Sequence, residues 1–233
     1  NNPVSFDYVT PSGVTEMETW IYSADMITDV GDLSVFYPNE CDFSKATRLK
    51  NLKIGDGGAN YSNANLRTID VRNSALLERI DVRNCPQLAI TVNLENSPRL
   101  KEAYFDGTAI TGVDLVDGGA IETLHLPGTV TTLTLLNLNK LSEFVIPSYS
   151  NISRLMLANM SNSIIDPVSV LNAIPANSQV NIQGLDLSMD SLGEVEEFYD
   201  LLDTMKGVTR DKNANGEWIY HDFDQAQEIG RAS

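Results

Sequence analysis

The chain is short of positive charge, of cysteine and of long apolar runs, and each shortage closes a class of function. Lys and Arg number 16 against 32 Asp and Glu over 233 residues, a formal charge of −16 with a pI near 4.3. A nonspecific nucleic-acid binder gains affinity by displacing counterions with Lys and Arg, and an anionic membrane surface attracts the same residues. Neither nucleic acid nor membrane insertion is therefore expected. No stretch approaches the roughly 18 consecutive apolar residues of a membrane-spanning helix. Two cysteines, Cys41 and Cys85, are too few for a disulfide framework and neither belongs to a CxxC pair. Two separate buried thiols or one long-range disulfide are both compatible with them. Thiolate metal ligation would need more partners than these two and the histidines His125 and His221 supply. The opening residues, NNPVSFDYVTPSG, have no basic region, no apolar run and no initiator Met. The expectation is a chain without a signal peptide, processed or excised from a longer one.

What is present is enough apolar material for a core, 42% of residues, in a length that suits one elongated domain or one domain with an appendage. The charge is segregated. Residues 1–44 hold eight acids and no base, residues 45–105 ten bases and six acids, and residues 155–205 eight acids and no base. A basic middle between acidic flanks can solvate the surface, or can attach the chain to a partner or to copies of itself through complementary faces.

The organising feature is a repeat of the form apolar-x-x-apolar-x-apolar. It appears as LKNLKI from Leu49, LRTIDV from Leu66, LERIDV from Leu77 and, modified, LKEAYF from Leu100. It continues as ITGVDL from Ile110, IETLHL from Ile121, VTTLTL from Val130, LSEFVI from Leu141 and ISRLML from Ile152, with a degenerate LAITV at Leu88. The closing alternation has the period of a strand, and turn residues separate the copies. Strands of about three residues are unstable singly but can bury a shared interior when stacked. Two units of about 11 residues give a coil of about 22, within the leucine-rich-repeat range. The expected fold is mainly β with some α, a leucine-rich-repeat-like solenoid of about five coils with short strands. Residues 1–48 are expected to form an N-terminal cap, 49–160 the solenoid and 161–233 a C-terminal closure. Asn73, Asn84, Asn137 and Asn159 recur just after the strands and suit turns, and Gly107, Gly118, Gly119 and Gly128 suit positions of positive φ.

In the closure, VSVLNAIP reads as a short helix and QVNIQGLDL as one more strand. DSLGEVEEFYDLLDTMKG reads as a helix, with a Ser191/Glu194 capping box and Gly207 as its stop. Leu192, Val195, Phe198, Tyr199, Leu202 and Met205 line its apolar face, while Glu194, Glu196, Glu197, Asp200 and Asp203 are expected to face water.

Four constellations carry candidate chemistry. DKNANGEWIYHD matches a calcium-loop pattern with Asp211, Asn213, Asn215 and Asp222 as oxygen ligands and Gly216 at the bend. The same residues read as a hairpin turning at Asn215-Gly216. DLSMD at 186–190 is similar to acidic metal motifs, but Asp190 also suits a helix start. Asp70, Arg72, Asp81 and Arg83 have the chemistry of a β-helix carbohydrate-active enzyme, yet alternating Asp and Arg on strands also form ion pairs, and no catalytic residue is assigned. Finally, alternate hexads face opposite sides. One side presents Asp81, Arg83, Tyr104, Asp106 and His125, a charged and aromatic mixture suited to binding. The other presents Asp70, Arg72, Asp114, Thr134 and Met156. No cofactor is expected beyond the calcium alternative.

The strings GDLSVFYP, DFSKATRLKNLKIG, YSNANLRTIDV, LLERIDVRNCPQL, DGTAITGVDLVDGGAIETLHLPGTVTTLTL and SNISRLMLANM span about 31–160. Through them the chain resembles leucine-rich-repeat-like modules in structural proteins of tailed bacteriophages of gut bacteria. The succession RNCP, GTAITGV, GG, LHLPGT is the most specific part. The resemblance implies a noncatalytic virion or tail module contacting other virion proteins or host-surface molecules. Leucine-rich repeats of bacterial cell-surface adhesins look similar and imply a cell-surface location instead. LAITV and the last 70 or so residues depart from the pattern.

Overall fold

The computed structural model describes residues 24–31, 38–55, 63–89, 94, 97–116, 120–148, 150–160, 167–175, 178–183, 199–203, 209–212, 214 and 218–221. Within them the hexads become short strands: β1 (Asp29–Val30), β2 (Glu40–Asp42), β3 (Asn51–Lys53), β4 (Thr68–Asp70), β5 (Arg79–Asp81), β6 (Glu102–Tyr104), β7 (Gly112–Val116), β8 (Thr123–His125), β9 (Thr132–Leu136), β10 (Glu143–Val145), β11 (Arg154–Ala158) and β12 (Gln179–Gln183). All of these pair in parallel, coil upon coil. The front sheet runs β1-β3-β5-β6-β8-β10, and the opposite side carries the pair β2-β4 and the sheet β7-β9-β11-β12. The result is a β-solenoid of about six turns, mainly β, with small helices towards the C-terminus.

The register follows from burial. The middle residue of each front strand points inward, so Leu52, Ile80, Ala103 and Leu124 stack in line and are sealed from solvent. On the other side Leu133 and Leu155 do the same. Slipping one strand by one residue would turn its apolar set outward, which locks the stacking. Each buried Leu or Ile contributes about 1.5–3 kcal/mol.

The sixth turn lies ahead of the hexads. β1 pairs with β3 and β2 with β4, so parallel pairing reaches into residues read from sequence as a cap. Its residues break the pattern at single points. Ile27 and Val30 fit, but Asp32 stands at the third apolar position. Cys41 and Phe43 fit, but Pro38 stands at the first. Beyond residue 160, β12 extends the ladder from β11. Residues 90–93 of the LAITV unit lie outside the described residues.

The corners between strands use a small buried residue that the hexad pattern leaves out. Ala46, Ser74, Cys85 and Ser97 each sit three residues before a buried Leu and are themselves buried. Their carbonyls accept the N–H of Leu49, Leu77, Leu88 and Leu100 at 2.9–3.0 Å, which closes the bend. Ser74 Oγ and Ser97 Oγ are buried without a hydrogen-bond partner among the described residues. After the strands, Asn84, Asn137 and Asn159 take positive φ (57°, 60° and 54°), as does Gly107 (69°). Asn is the non-glycine residue that tolerates this region best. Asn73 and Gly128 lack positive φ, an angle expected of Gly128 but not of Asn73. Asn73 instead donates from Nδ2 to Ser44 O at 3.0 Å. Gly128 O accepts from Asn151 Nδ2 at 2.9 Å. Gly118 and Gly119 lie outside the described residues.

Near the C-terminus, α1 (Pro167–Asn172) is the expected short helix. Residues 199–203 are helical, and the remainder of the helix read over 190–207, with its capping box, lies outside the described residues. Asp203 was expected in water but is only 5% exposed. It stands four residues after Tyr199, on the stripe that Tyr199 and Leu202 bury. β13 (Thr209–Lys212) and β14 (Trp218–His221) pair antiparallel. Both cysteines are free thiols, Cys85 buried and Cys41 half-buried. Burial pushes their pKa values up, to about 12 for Cys41 and about 11 for Cys85.

Two tests follow from the corners and the thiols. At Gly55 an added Cβ would lie 1.8 Å from the carbonyl oxygen of Arg83 in the next coil. Gly55→Ala is expected to cost about 1–3 kcal/mol in urea melts, whereas Ser74→Ala and Ser97→Ala should be neutral or stabilising. The thiols remain protonated in the fold at pH values where the unfolded chain ionises them. Stability should therefore fall as pH rises above about 9, and in a Cys41→Ala/Cys85→Ala variant the fall in melting temperature between pH 9 and 11 should be smaller.

Candidate functional site

In a strand, residues on either side of an inward one share the outer face. On the front sheet this makes two outward rows. One is Asp29, Asn51, Arg79, Glu102, Thr123 and Glu143, and the other Lys53, Asp81, Tyr104, His125 and Val145, as the register shows. The spacing between coils, about 4.8 Å, lets long side chains of neighbouring coils interlock.

Asp81 is the anchor. It is 0% exposed, and its carboxylate accepts from Arg83 Nε at 2.9 Å and Arg83 Nη2 at 2.6 Å. Arg79 adds a third contact through Nη2 at 3.2 Å and reaches across the coil to Glu102 through Nη1. The two guanidiniums lie over the Tyr104 ring, 4.6 and 4.7 Å from its centroid. Such cation–π contacts are worth about 0.5–2 kcal/mol each. The Tyr104 hydroxyl donates to Glu102 at 3.2 Å, and the edge of the ring meets His125 at 4.9 Å between centroids. His125 then spans two coils. Its Nε2 is 2.9 Å from Glu143 and its Nδ1 3.3 Å from Asp106. Hydrogen bonding to Asp81 holds the Arg83 guanidinium above its ordinary pKa, and burial followed by the Glu102 charge raises Tyr104.

The structure thus brings together all five side chains read from sequence as one surface, Asp81, Arg83, Tyr104, Asp106 and His125. It also adds Arg79, Glu102 and Glu143. Those three stand on the other side of the central apolar residue of ERI, KEA and SEF. The alternation that placed Asp81 outward places them outward too. The other pair of candidates, Asp70 and Arg72, lies on the opposite side, with Arg72 Nη2 2.6 Å from Asp70. That hydrogen bond holds the Asp70 carboxyl below the usual carboxylate range. Asp114, Thr134 and Met156 share one row on β7, β9 and β11.

No family model matches the chain, and no curated protein matches its sequence. The geometry of these residues therefore carries the functional argument. Among the described residues no group of three His, Cys, Asp or Glu is arranged to hold a metal ion. Asp211 lies in β13 opposite Ile219, while Asn213, Asn215 and Asp222, the other candidate calcium ligands, lie outside the described residues, as does the 186–190 motif. No helix among the described residues is long and apolar enough to cross a membrane.

The front-sheet cluster is a wall of side chains locked by charge, in which each guanidinium has carboxylate and ring partners together. Replacing one Asp81 carboxylate oxygen by an amide removes the buried charge that Arg83 and Arg79 share and sets a donor against their guanidiniums. Asp81→Asn is expected to destabilise by about 2–4 kcal/mol, against less than about 1 kcal/mol for Asp70→Asn in its solvated pair. Chemical denaturation of the two variants side by side checks the ordering.

Proposed function

We propose that the chain is a noncatalytic structural and interaction module of a phage virion or tail protein, mediating assembly or attachment through protein contacts. The observation that carries this reading is the rigid front-sheet surface centred on Tyr104. Arginine and aromatic side chains dominate binding energy at protein interfaces, and ones already held in place lose little entropy on docking. The cluster contains acids and bases, but they are engaged with one another along a flat sheet, which suits complementarity better than turnover. The stacked coils form a β-solenoid, an architecture that offers an extended binding face, and the resemblance to virion modules of gut phages favours other virion proteins or host-surface molecules as partners.

The test is binding of the purified chain to the products of genes flanking its own. Tyr104→Ala is expected to weaken binding by at least about tenfold while the far-ultraviolet circular dichroism stays unchanged. Raising salt from about 50 mM to about 1 M should weaken it further. Turnover of an acidic or neutral glycan, lost in Asp81→Ala and Arg83→Ala variants, would overturn the proposal. A partner on the bacterial envelope and an anchoring signal in the parent chain would move the reading to a cell-surface adhesin.

A further inference from the structure

Among the described residues the front sheet stops one strand short of the opposite one. β10 is its last strand and pairs with β8 alone, whereas the other side continues from β11 to β12. Between β11 and β12, where the alternation of coils calls for a front strand, the described chain forms α1. The turn after α1 is tied to Ser150, whose N–H and Oγ donate to Ala173 O at 3.1 and 2.8 Å. Helix and edge do not pair. A groove of about 710 Å³ separates them, with Phe144, Val145 and Ile146 on one wall and Ser169, Val170 and Ala173 on the other.

The edge is built for pairing. The Glu143 N–H and Val145 C=O are engaged towards β8, so parallel geometry points the N–H and C=O of Phe144 into the groove. Phe144 and Ile146 pack half-buried against the core, and Val145 is 38% exposed. An incoming strand would gain backbone hydrogen bonds and cover this apolar surface together.

We infer that the groove takes an extended basic segment of another protein as an additional front strand. Charge selects it. Among the described lining residues the only charge is that of Glu143, so Lys or Arg on the incoming strand forms the favourable cross-strand pair. A second copy is disfavoured. The edge at the other end of the sheet among the described residues, β1, would set Asp29 on Glu143, and residues 1–44 and 155–205 each hold eight acids and no base. This edge shares Glu143 with the Tyr104 face, where His125 Nε2 lies 2.9 Å from its carboxylate, but its backbone donor and acceptor and its apolar walls belong to the groove alone.

The test titrates the intact chain with a labelled peptide of alternating Lys and Val, with its Glu counterpart, and with a Lys peptide interrupted by Pro. Fluorescence anisotropy reads binding, and hydrogen exchange of the Phe144 amide reads the place. The Lys peptide is expected to bind and to slow exchange at Phe144, and the Glu peptide to fail. The Pro version should bind about tenfold more weakly, having lost ladder hydrogen bonds. Val145→Lys, which repels the ligand, and Asn172→Trp, which fills the groove, should each weaken the Lys peptide about as much with melting temperature unchanged. The inference is overturned if the Lys peptide leaves Phe144 exchange unaltered, or if the Glu and Pro controls bind as well. Protection of the Phe144 amide in the free chain also overturns it, whether through its own residues or, if it grows with concentration, through a second copy.

Discussion

Each coil must return its backbone to within one ladder spacing, about 4.8 Å, of the coil before it, on two sides at once. A column of backbone hydrogen bonds at the start of each front strand marks how that is met. Lys50 donates to Thr28, Glu78 to Lys50, Lys101 to Glu78, Glu122 to Lys101 and Ser142 to Glu122, all at 2.7–2.9 Å. A matching column on the other side links Thr111, Thr131, Ser153 and Gln179. Hydroxyls at Thr131, Ser142 and Ser153 add second bonds to the same carbonyls. Everything else is arranged so that this column stays unbroken. The corner residues are small because a larger side chain would lift the coil. Asn and Gly hold positive φ because the chain must turn within a few residues. Gly55 has no room for a methyl group because the next coil's carbonyl occupies it.

The same spacing makes the functional surface. Side chains that would be separate solvated charges on an isolated strand are brought within contact of their counterparts above and below. Asp81 is buried because Arg79 and Arg83 close over it, and the two arginines are ordered because Tyr104 lies in the next coil. The surface is consequently a property of several coils together, and its rigidity is inherited from the ladder. The Lys101–Glu78 pair, 3.5 Å apart at the corner, shows the weaker, solvated version of the same arrangement.

The solenoid was legible because Leu66, Ile69 and Val71, or Leu77, Ile80 and Val82, repeat the same burial pattern in six residues. The alternation of hexads between two sides also told Asp81 from Asp70 correctly. Less was visible where one position fails. Pro38 and Asp32 hide a coil whose remaining apolar residues, Ile27, Val30, Cys41 and Phe43, do pack against the core. Arg79, Glu102 and Glu143 precede the central apolar residue of their hexads, and the period of two turns them to the same face as the residue that follows it. Asp203 is acidic yet buried, because its position on the helix stripe outweighs its charge. Gly128 shows that composition names turns better than it names their dihedral angles.

The parallel register has a kinetic consequence. Pairing partners run from Thr123 and Glu143 at the short end to Asn51 and Arg79 at the long end, so no strand pair waits for a distant part of the chain. Any two adjacent coils can form a nucleus, and each further coil adds to a finished template at a small and nearly constant loop-closure cost. A nascent chain can therefore fold turn by turn as it emerges, and damage to one coil should arrest propagation at that coil while those already laid down persist.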